Sequence, residues 1–321
     1  MLLYVASTIV GLAFLVWGAH KMVFGSAALA KNLGVAPMLI GLTVVGFATS
    51  APELLVSATA AIRGATSLAI GNAIGSNIAN IGLVIGAAAL IHPLTIRSQT
   101  LQRELPVMVA VSLIPVFLFL DDYLSRLDGL TLFVLFAAFI YWIIRLGLRT
   151  SGHDAIEAQY ATEIPDSVGQ GMAALWIAVG LVVLIIGSNA LVWGGQNLAL
   201  ALGISDLLLG VTLVAIGTSL PELTVAIVAA RKGLHGLALG TVIGSNVFNM
   251  LAVIGIAALI RPATMDHVVL TFHVPVMLAF TVVFFFIAYN YSGTIRVSRW
   301  VGATLLAGFV AYHSYLALQN F

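Results

Sequence analysis

The chain has 321 residues, of which 61% are hydrophobic and 8% charged, where a soluble globular domain carries roughly a quarter charged residues. Its net charge of +1, without Lys/Arg clusters, points to no nucleic-acid or strongly acidic partner. The absence of cysteine excludes disulfides, thiolate metal sites and cysteine nucleophiles. Apolar runs of the roughly 20 residues needed to cross a bilayer predict an all-α integral membrane protein. Helices are expected near 2–20, 36–62, 67–91, 104–120, 127–147, 171–194, 205–230, 235–260, 268–289 and 298–318. The first lacks a basic leader and a small-residue cleavage site, so it reads as a retained helix rather than a signal peptide.

The longest polar stretch, 148–170, separates five predicted helices from five more. It defines a first repeat at 1–147, a cytoplasmic linker at 148–170 and a second repeat at 171–321, all in one transmembrane domain. With the N-terminus outside, ten basic residues (Lys21, Lys31, Arg97, Arg103, Arg145, Arg149, Arg231, Lys232, Arg296, Arg299) fall at inner loops and helix ends. Three, Arg63, Arg126 and Arg261, fall outside. That bias obeys the positive-inside rule and puts both termini on the extracytoplasmic side. An odd number of helices per half then makes the two repeats inverted.

The halves are copies of each other. Residues 41–86 and 210–255 align at an offset of 169 without a gap and agree at 23 of 46 positions. At the same offset Pro93 matches Pro262, and LPVM at 105–108 matches VPVM at 274–277. Duplication of this kind places a substrate site where the halves meet, near the bilayer midplane.

Glu53 and Glu222 occupy matching positions inside the second and seventh predicted helices. An acid at the centre of a spanning helix costs about 2.5–3.5 kcal/mol on insertion scales, which makes it a functional candidate by default. The competing reading, a protonated or paired glutamate that only holds helices together, fits poorly with two acids at matched positions. Pro52 and Pro221 precede the acids and remove the hydrogen bonds that the carbonyls of Ala48 and Gly217 would accept. Such breaks persist at membrane depth where they line a cavity, and the freed carbonyls become oxygen ligands. Thr49 and Ser50 precede Glu53 by four and three residues, as Thr218 and Ser219 precede Glu222, a spacing that puts hydroxyl and carboxylate on one face.

In the following helices Asn72, Ser76 and Asn80 form a polar stripe, matched by Thr241, Ser245 and Asn249. Asn77 and Asn246 point about 100° away from the stripes and read as interhelical hydrogen-bonding groups, while the glycines around them serve close packing. The histidines, His273 and His313 included, read as interfacial polar groups. Carboxylates, hydroxyls and amide oxygens without thiolate or imidazole suit Ca²⁺ or Na⁺ rather than Zn²⁺ or Cu²⁺.

FATSAPE with GNAIGSNIAN, and IGTSLPE with GTVIGSNVFN, resemble the ion-binding repeats of the sodium/calcium exchanger family, within the calcium/cation antiporter superfamily. The resemblance covers nearly the whole chain and extends to bacterial inner-membrane calcium/sodium antiporters. It implies ten transmembrane helices in two inverted five-helix repeats, with helices 2 and 7 broken at the ion site. Glu53 and Glu222 would be the central Ca²⁺ ligands. Thr49, Ser50, Thr218 and Ser219 would give hydroxyl or backbone oxygens, with backbone oxygens also at Gly46 and Ala215. Ser76, Asn80, Ser245 and Asn249 would flank them. Some relatives, including potassium-dependent exchangers, carry aspartate at the position of Asn249, so asparagine here argues against potassium co-transport.

The expected activity is Na⁺/Ca²⁺ antiport by alternating access in a bacterial inner membrane, with Ca²⁺, Na⁺ and lipid as partners, the chain acting as a monomer and no cofactor beyond the transported ions. Proton-coupled Ca²⁺ exchange is the alternative. It is disfavoured because Gly71-Asn72 is followed by Gly75 rather than by the extra acid of the proton/calcium branch. An intramembrane enzyme would need a nucleophile or metal-activated water, and the sequence has no such constellation.

Overall fold

The computed structural model describes residues 1–34, 46–150, 168–289 and 294–320. Its elements in chain order are α1 (Leu2–Asn32), α2 (Gly46–Thr49), α3 (Ala51–Ile62), α4 (Thr66–Ile91), β1 (Leu94–Arg97), α5 (Gln99–Leu118), β2 (Tyr123–Leu124) and α6 (Arg126–Thr150). They continue with α7 (Gln170–Leu202), α8 (Asp206–Thr218), α9 (Leu220–Arg231), α10 (His235–Ile260), β3 (Ala263–Thr264), α11 (Val269–Ala288), β4 (Thr294–Val297) and α12 (Arg299–Asn320). Among the described residues eight helices are long and apolar enough to cross a membrane, and the pair α8 and α9, bent by 41°, makes a ninth candidate. The second predicted helix is seen from Gly46 onward, as α2 and α3. Its beginning, and most of the predicted linker, lie outside the described residues.

Two helices are longer than expected. The first predicted helix, placed at 2–20, runs to Asn32, and the sixth, placed at 171–194, runs to Leu202. Lys21 does not end α1, because its ammonium lies 4.3 Å from the Trp176 ring centroid and 5.7 Å from that of Trp17. The charge is held by aromatic faces while the alkyl stem stays on apolar surface. At 31 and 33 residues and 1.5 Å per residue, both helices exceed a hydrocarbon core of about 30 Å, so they tilt or extend beyond it.

These two helices pack antiparallel through small residues. A Cβ on Gly11 would meet Leu191 N at 2.6 Å, one on Gly18 would meet Gly180 O at 3.0 Å, and one on Gly25 would meet Ala173 O at 2.7 Å. Close backbone approach of this kind substitutes for the hydrophobic drive that lipid abolishes.

Two short antiparallel ribbons tie distant parts of the chain. β1 pairs with β4 in the register Leu94↔Val297 to Arg97↔Thr294, and β2 pairs with β3 through Tyr123↔Thr264 and Leu124↔Ala263. Because β1 precedes α5 and β2 follows it, the ribbons mark opposite ends of the bundle. His235, at the start of α10, faces Thr95 O at 3.0 Å and His92 Nδ1 at 3.1 Å, so α10 begins at the β1–β4 end. At the other end Thr66 Oγ1 donates to Arg261 O at 3.0 Å.

The innermost helices are α4 and α10, whose apolar side chains such as Ile74, Ile78, Ile81, Val242, Ile243 and Leu251 are fully or almost fully buried. Both change from α to π geometry at matching positions, over Asn80–Ile85 and Asn249–Val253. π-Helical turns of this kind concentrate at functional sites.

Candidate cation site

Proline decides where each acid sits. The helix is interrupted at Ser50 (φ −87°, ψ 5°) and at Ser219 (φ −81°, ψ 4°), and a new helix starts at Ala51 or Leu220 with proline in its first turn. Glu53 and Glu222 therefore lie in the first turn of α3 and α9, where unpaired N–H groups and the helix dipole favour negative charge. Pro52 and Pro221 thus do two things: they break a spanning helix, and they supply a positive helix end beside each carboxylate.

All twelve residues expected at the site are described, and the eight polar hydroxyl and amide residues and both acids are buried: Thr49, Ser50, Glu53, Ser76, Asn80, Thr218, Glu222, Ser245 and Asn249 are at 0% exposure and Ser219 at 1%. The serine before each acid bonds to the acid of the other copy. Ser50 Oγ donates to Glu222 Oε1 at 3.3 Å, and Ser219 Oγ donates to Glu53 Oε1 at 3.4 Å. Ser245 Oγ also donates to Glu222 Oε1, at 3.1 Å, and receives Ser50 Oγ at 2.8 Å. The three-residue spacing suggests that each serine serves the glutamate of its own helix. The break at the serine turns it away, and the packing of α2 and α3 against α8 and α9 hands it to the other one.

The threonines complete the pattern. Thr49 Oγ1 donates to Gly46 O at 3.1 Å, and Thr218 Oγ1 to Ala215 O at 3.3 Å, which places the two expected backbone oxygens beside the hydroxyls. Ser76 Oγ lies 3.4 Å from Thr218 Oγ1. Asn80 and Asn249 close the stripes: Asn80 Nδ2 donates to Asn246 Oδ1 at 3.0 Å and Asn249 Nδ2 to Asn77 Oδ1 at 3.1 Å. Asn77 and Asn246 are thus interhelical hydrogen-bonding groups, as their position off the stripes suggests. The glycine reading holds at Gly71 and Gly75, where a Cβ would meet Leu207 O and Val211 O, each at 2.6 Å.

Of the oxygens of the expected site residues, four are buried without a hydrogen-bond donor among the described residues: Glu53 Oε2, Glu222 Oε2, Asn80 Oδ1 and Asn249 Oδ1. They come in two pairs related by the offset of 169. Leaving so many acceptors unsatisfied in a dry interior is costly, and cation coordination would supply the partner that each of them lacks. Among the described residues no group of three or more His, Cys, Asp or Glu side chains comes together. The available oxygens are therefore two carboxylates with neutral hydroxyl, amide and carbonyl oxygens, which suits a hard cation.

The model of the family described as sodium/calcium exchanger protein matches residues 3–145 and 172–318. The chain belongs to the sodium/calcium exchanger family. Similar proteins include the inner membrane protein YrbG of Escherichia coli, 38% identical over 98% of this chain and 97% of that one. Another is the sodium/calcium exchanger MaX1 of Methanosarcina acetivorans, 32% identical over 95% of each chain. Among solved structures, the sodium-calcium exchanger NCX_Mj soaked with 10 mM Na⁺ and 10 mM Sr²⁺ superposes with a TM-score of 0.69, at 33% identity over 98% of both chains. The same protein soaked with 2.5 mM Na⁺ and 0.1 mM Ca²⁺ gives the same TM-score at 32% identity.

The exchanger fold also assembles residues that the sequence reading left out of the site. Asn72 Oδ1 receives Thr218 Oγ1 at 3.0 Å, while its Nδ2 donates to Glu53 O at 3.3 Å and to Ser57 Oγ at 3.0 Å. Asn72 therefore holds the broken helix of one copy against the hydroxyl of the other. Its counterpart Thr241 turns back to Leu237 O of its own helix at 2.9 Å, and the counterpart of Ser57 is Ala226, so the copies differ here. Ser57 follows Glu53 by one helical turn, a spacing that marks it in the sequence. His273 corrects the interfacial reading: it is 4% exposed and its Nδ1 lies 2.6 Å from the Tyr312 hydroxyl, because α12 packs over the turn that carries it.

Proposed function

We propose that this chain is a secondary active antiporter that exchanges Na⁺ for Ca²⁺ across the membrane by alternating access at one site shared by Glu53 and Glu222. The observation that carries the reading is the set of four donorless oxygens, contributed symmetrically by the two acids and by Asn80 and Asn249. Family membership and the likeness to an exchanger whose crystals were soaked with Na⁺, Sr²⁺ and Ca²⁺ support the choice of ions. Two ionised glutamates balance one divalent cation or about two monovalent ones. Thr49, Ser50, Thr218, Ser219, Ser76 and Ser245, with the carbonyls of Gly46 and Ala215, supply neutral oxygens to one ion or the other.

Coupling follows from charge. A doubly negative site buried in a low-dielectric protein is expensive to close off from water, and occupancy by either cargo removes that cost. The empty carrier does not cross, so influx of one ion is tied to efflux of the other. The antiparallel pair α1 and α7 is the element we assign to the sliding movement, because its internal contacts are backbone on backbone and it holds together as a unit.

The same reading takes the chain as a monomer with ten transmembrane helices in two inverted repeats, 1–147 and 171–321, joined by a cytoplasmic linker at 148–170. Both termini are then outside a bacterial inner membrane. The two blocks matched by the family, 3–145 and 172–318, support the division. The contacts β1–β4, β2–β3 and Thr66–Arg261 each join segments that this topology puts on one side.

Uptake of ⁴⁵Ca²⁺ into proteoliposomes tests the proposal. An outward Na⁺ gradient should drive accumulation, whereas a proton gradient should not. Stimulation by protons alone would transfer the site to proton-coupled exchange, and stimulation by neither would overturn antiport.

A further inference from the structure

We propose that Asn72 is a positioning residue for the cation site. It takes up the hydroxyl hydrogen of Thr218, keeps Ala215 O for a cation, and so makes the Ala215 half of the site bind Na⁺ more tightly than the Gly46 half. The proposal rests on the antiport reading and deepens it, because the oxygens expected from the two repeats otherwise match pair by pair.

The orientation of the Asn72 amide follows from its partners. Nδ2 lies 3.3 Å from Glu53 O and 3.0 Å from Ser57 Oγ. A backbone carbonyl only accepts, and the Ser57 hydroxyl gives its hydrogen to Ala69 O at 3.4 Å, so the nitrogen is the atom that faces both. Oδ1 is thereby turned toward the other copy, where it receives Thr218 Oγ1 at 3.0 Å. Ser76 Oγ reaches the same oxygen at 3.5 Å. All of these side chains are at 0% exposure.

A threonine has one hydroxyl hydrogen, and Thr218 shares it between Asn72 Oδ1 at 3.0 Å and Ala215 O at 3.3 Å. The shorter contact is to the amide. Ala215 O also receives Ser219 N–H at 3.1 Å, which leaves the carbonyl one lone pair. With the Thr218 hydrogen drawn to Asn72, that lone pair and those of the Thr218 oxygen are left for a cation.

The other copy lacks this outlet. Thr241, at the position matching Asn72, donates to Leu237 O of its own helix at 2.9 Å. Thr49 donates to Gly46 O at 3.1 Å, and Gly46 O also receives Ser50 N–H at 3.4 Å, so both lone pairs of that carbonyl are engaged. Ser245, at the position matching Ser76, gives its hydrogen to Glu222 Oε1 at 3.1 Å. A cation in the Gly46 half must displace hydrogens from the oxygens it would use, whereas in the Ala215 half those hydrogens already point at Asn72. Preorganisation of this kind raises affinity by removing a cost of binding. It bears on Na⁺ more than on Ca²⁺, because a divalent ion draws most of its attraction from the two carboxylates.

The test is the thermal stability of the purified, ion-free protein in detergent, titrated with NaCl against choline chloride at constant ionic strength and, separately, with CaCl₂. A cation that binds the folded protein raises its melting temperature. Asn72→Ala and Asn72→Thr should each raise the Na⁺ concentration needed for a given stabilisation by about tenfold, the worth of one hydrogen bond. The Ca²⁺ concentration needed should change less than about threefold. Asn72→Thr introduces the residue of the matching position and carries the test if Asn72→Ala folds poorly. In double-mutant cycles, Thr218→Val should remove the effect of Asn72→Thr on Na⁺, whereas with Thr49→Val the two losses should add. Parallel losses for Na⁺ and Ca²⁺, as from a brace that only holds Glu53 in place, would overturn the proposal. So would an unchanged Na⁺ response, or coupling to Thr49 in place of Thr218. Glu53→Gln separates the two ideas. If it responds to both ions as the parent does, the cation site itself is wrong and the role of Asn72 falls with it; if it loses the response while the Asn72 variants keep the parental one, only the role of Asn72 fails.

Discussion

Ser219 donates its hydroxyl hydrogen bond to Glu53, 166 residues away, and leaves Glu222 of its own helix to Ser50 and Ser245. Glu53 thereby takes a serine of the opposite copy and Glu222 takes one from each copy, so neither half alone completes the set. In the proposed exchange cycle, a movement that separates the copies would loosen contacts to both acids at once and so would link ion release to the conformational step.

This crossing predicts which pairs are coupled. Ser50→Ala should weaken Ca²⁺ binding by about 1.5–3 kcal/mol, the usual worth of a hydrogen bond to a charged group. Ser219→Ala, with its single contact at 3.4 Å, should fall at or below the lower end. In double-mutant cycles read by Ca²⁺ titration, Ser219→Ala should couple to Glu53→Gln and not to Glu222→Gln. The opposite coupling would show that each serine serves its own helix.

Neutralising either acid should abolish exchange while leaving the fold intact. Glu53→Gln and Glu222→Gln keep the shape of the side chain and remove a buried charge beside which no basic residue is found among the described residues. Na⁺-driven ⁴⁵Ca²⁺ flux should fall by at least about a hundredfold, while thermal stability without ions should hold or rise, because the desolvation cost is gone. A parental transport rate in either variant would remove that acid from the site.

Asn249 has the opposite polarity. Its Nδ2 donates to Asn77 Oδ1 at 3.1 Å, and Asn249→Asp replaces that donor with a third buried negative charge. The variant should lose about 1–3 kcal/mol of stability without ions, the price of an unmade buried hydrogen bond. Calcium should recover more stability for it than for the parent, measured as the Ca²⁺-dependent shift in melting temperature. A shift no larger than the parental one would place Asn249 outside the coordination shell.

Two glycines at matching positions should respond differently. Gly75→Ala forces a methyl against Val211 O and Ala215 Cβ and should cost about 1–3 kcal/mol through overpacking. Gly244→Ala, whose methyl meets no described atom within 4 Å, should fold with parental stability. Thermal melts in detergent decide the comparison, and equal losses would show that the two ends of the bundle are equally closed.

The salt contact between His267 and Asp122, 2.9 Å long and exposed at 63% and 39%, should matter little. Exposed pairs contribute at most about 1 kcal/mol, and Met265 N already donates to Asp122 O at 2.8 Å. Asp122→Asn should therefore change the melting temperature by no more than a few degrees.

Membrane insertion, the duplication, the proline breaks and the identity of the acids were all legible in the amino-acid sequence. Each depends on local chemistry or on an offset that a linear alignment exposes: apolar length, a missing N–H at Pro52 and Pro221, a charge too costly to keep without use. What only the tertiary structure decided is which groups meet. The crossing of Ser50 and Ser219, the clasp of Asn72 on Thr218, the burial of His273 under α12 and the cavity beside Glu104 all arise from contacts between helices far apart in the chain. Helical spacing fixes the face on which a side chain lies, but packing chooses the neighbour that face receives. Glu104 and His273 occupy matching positions in the repeat, yet one lines a cavity with Phe136 and Phe248 and the other is buried against Tyr312, because tertiary packing gives the two positions different neighbours.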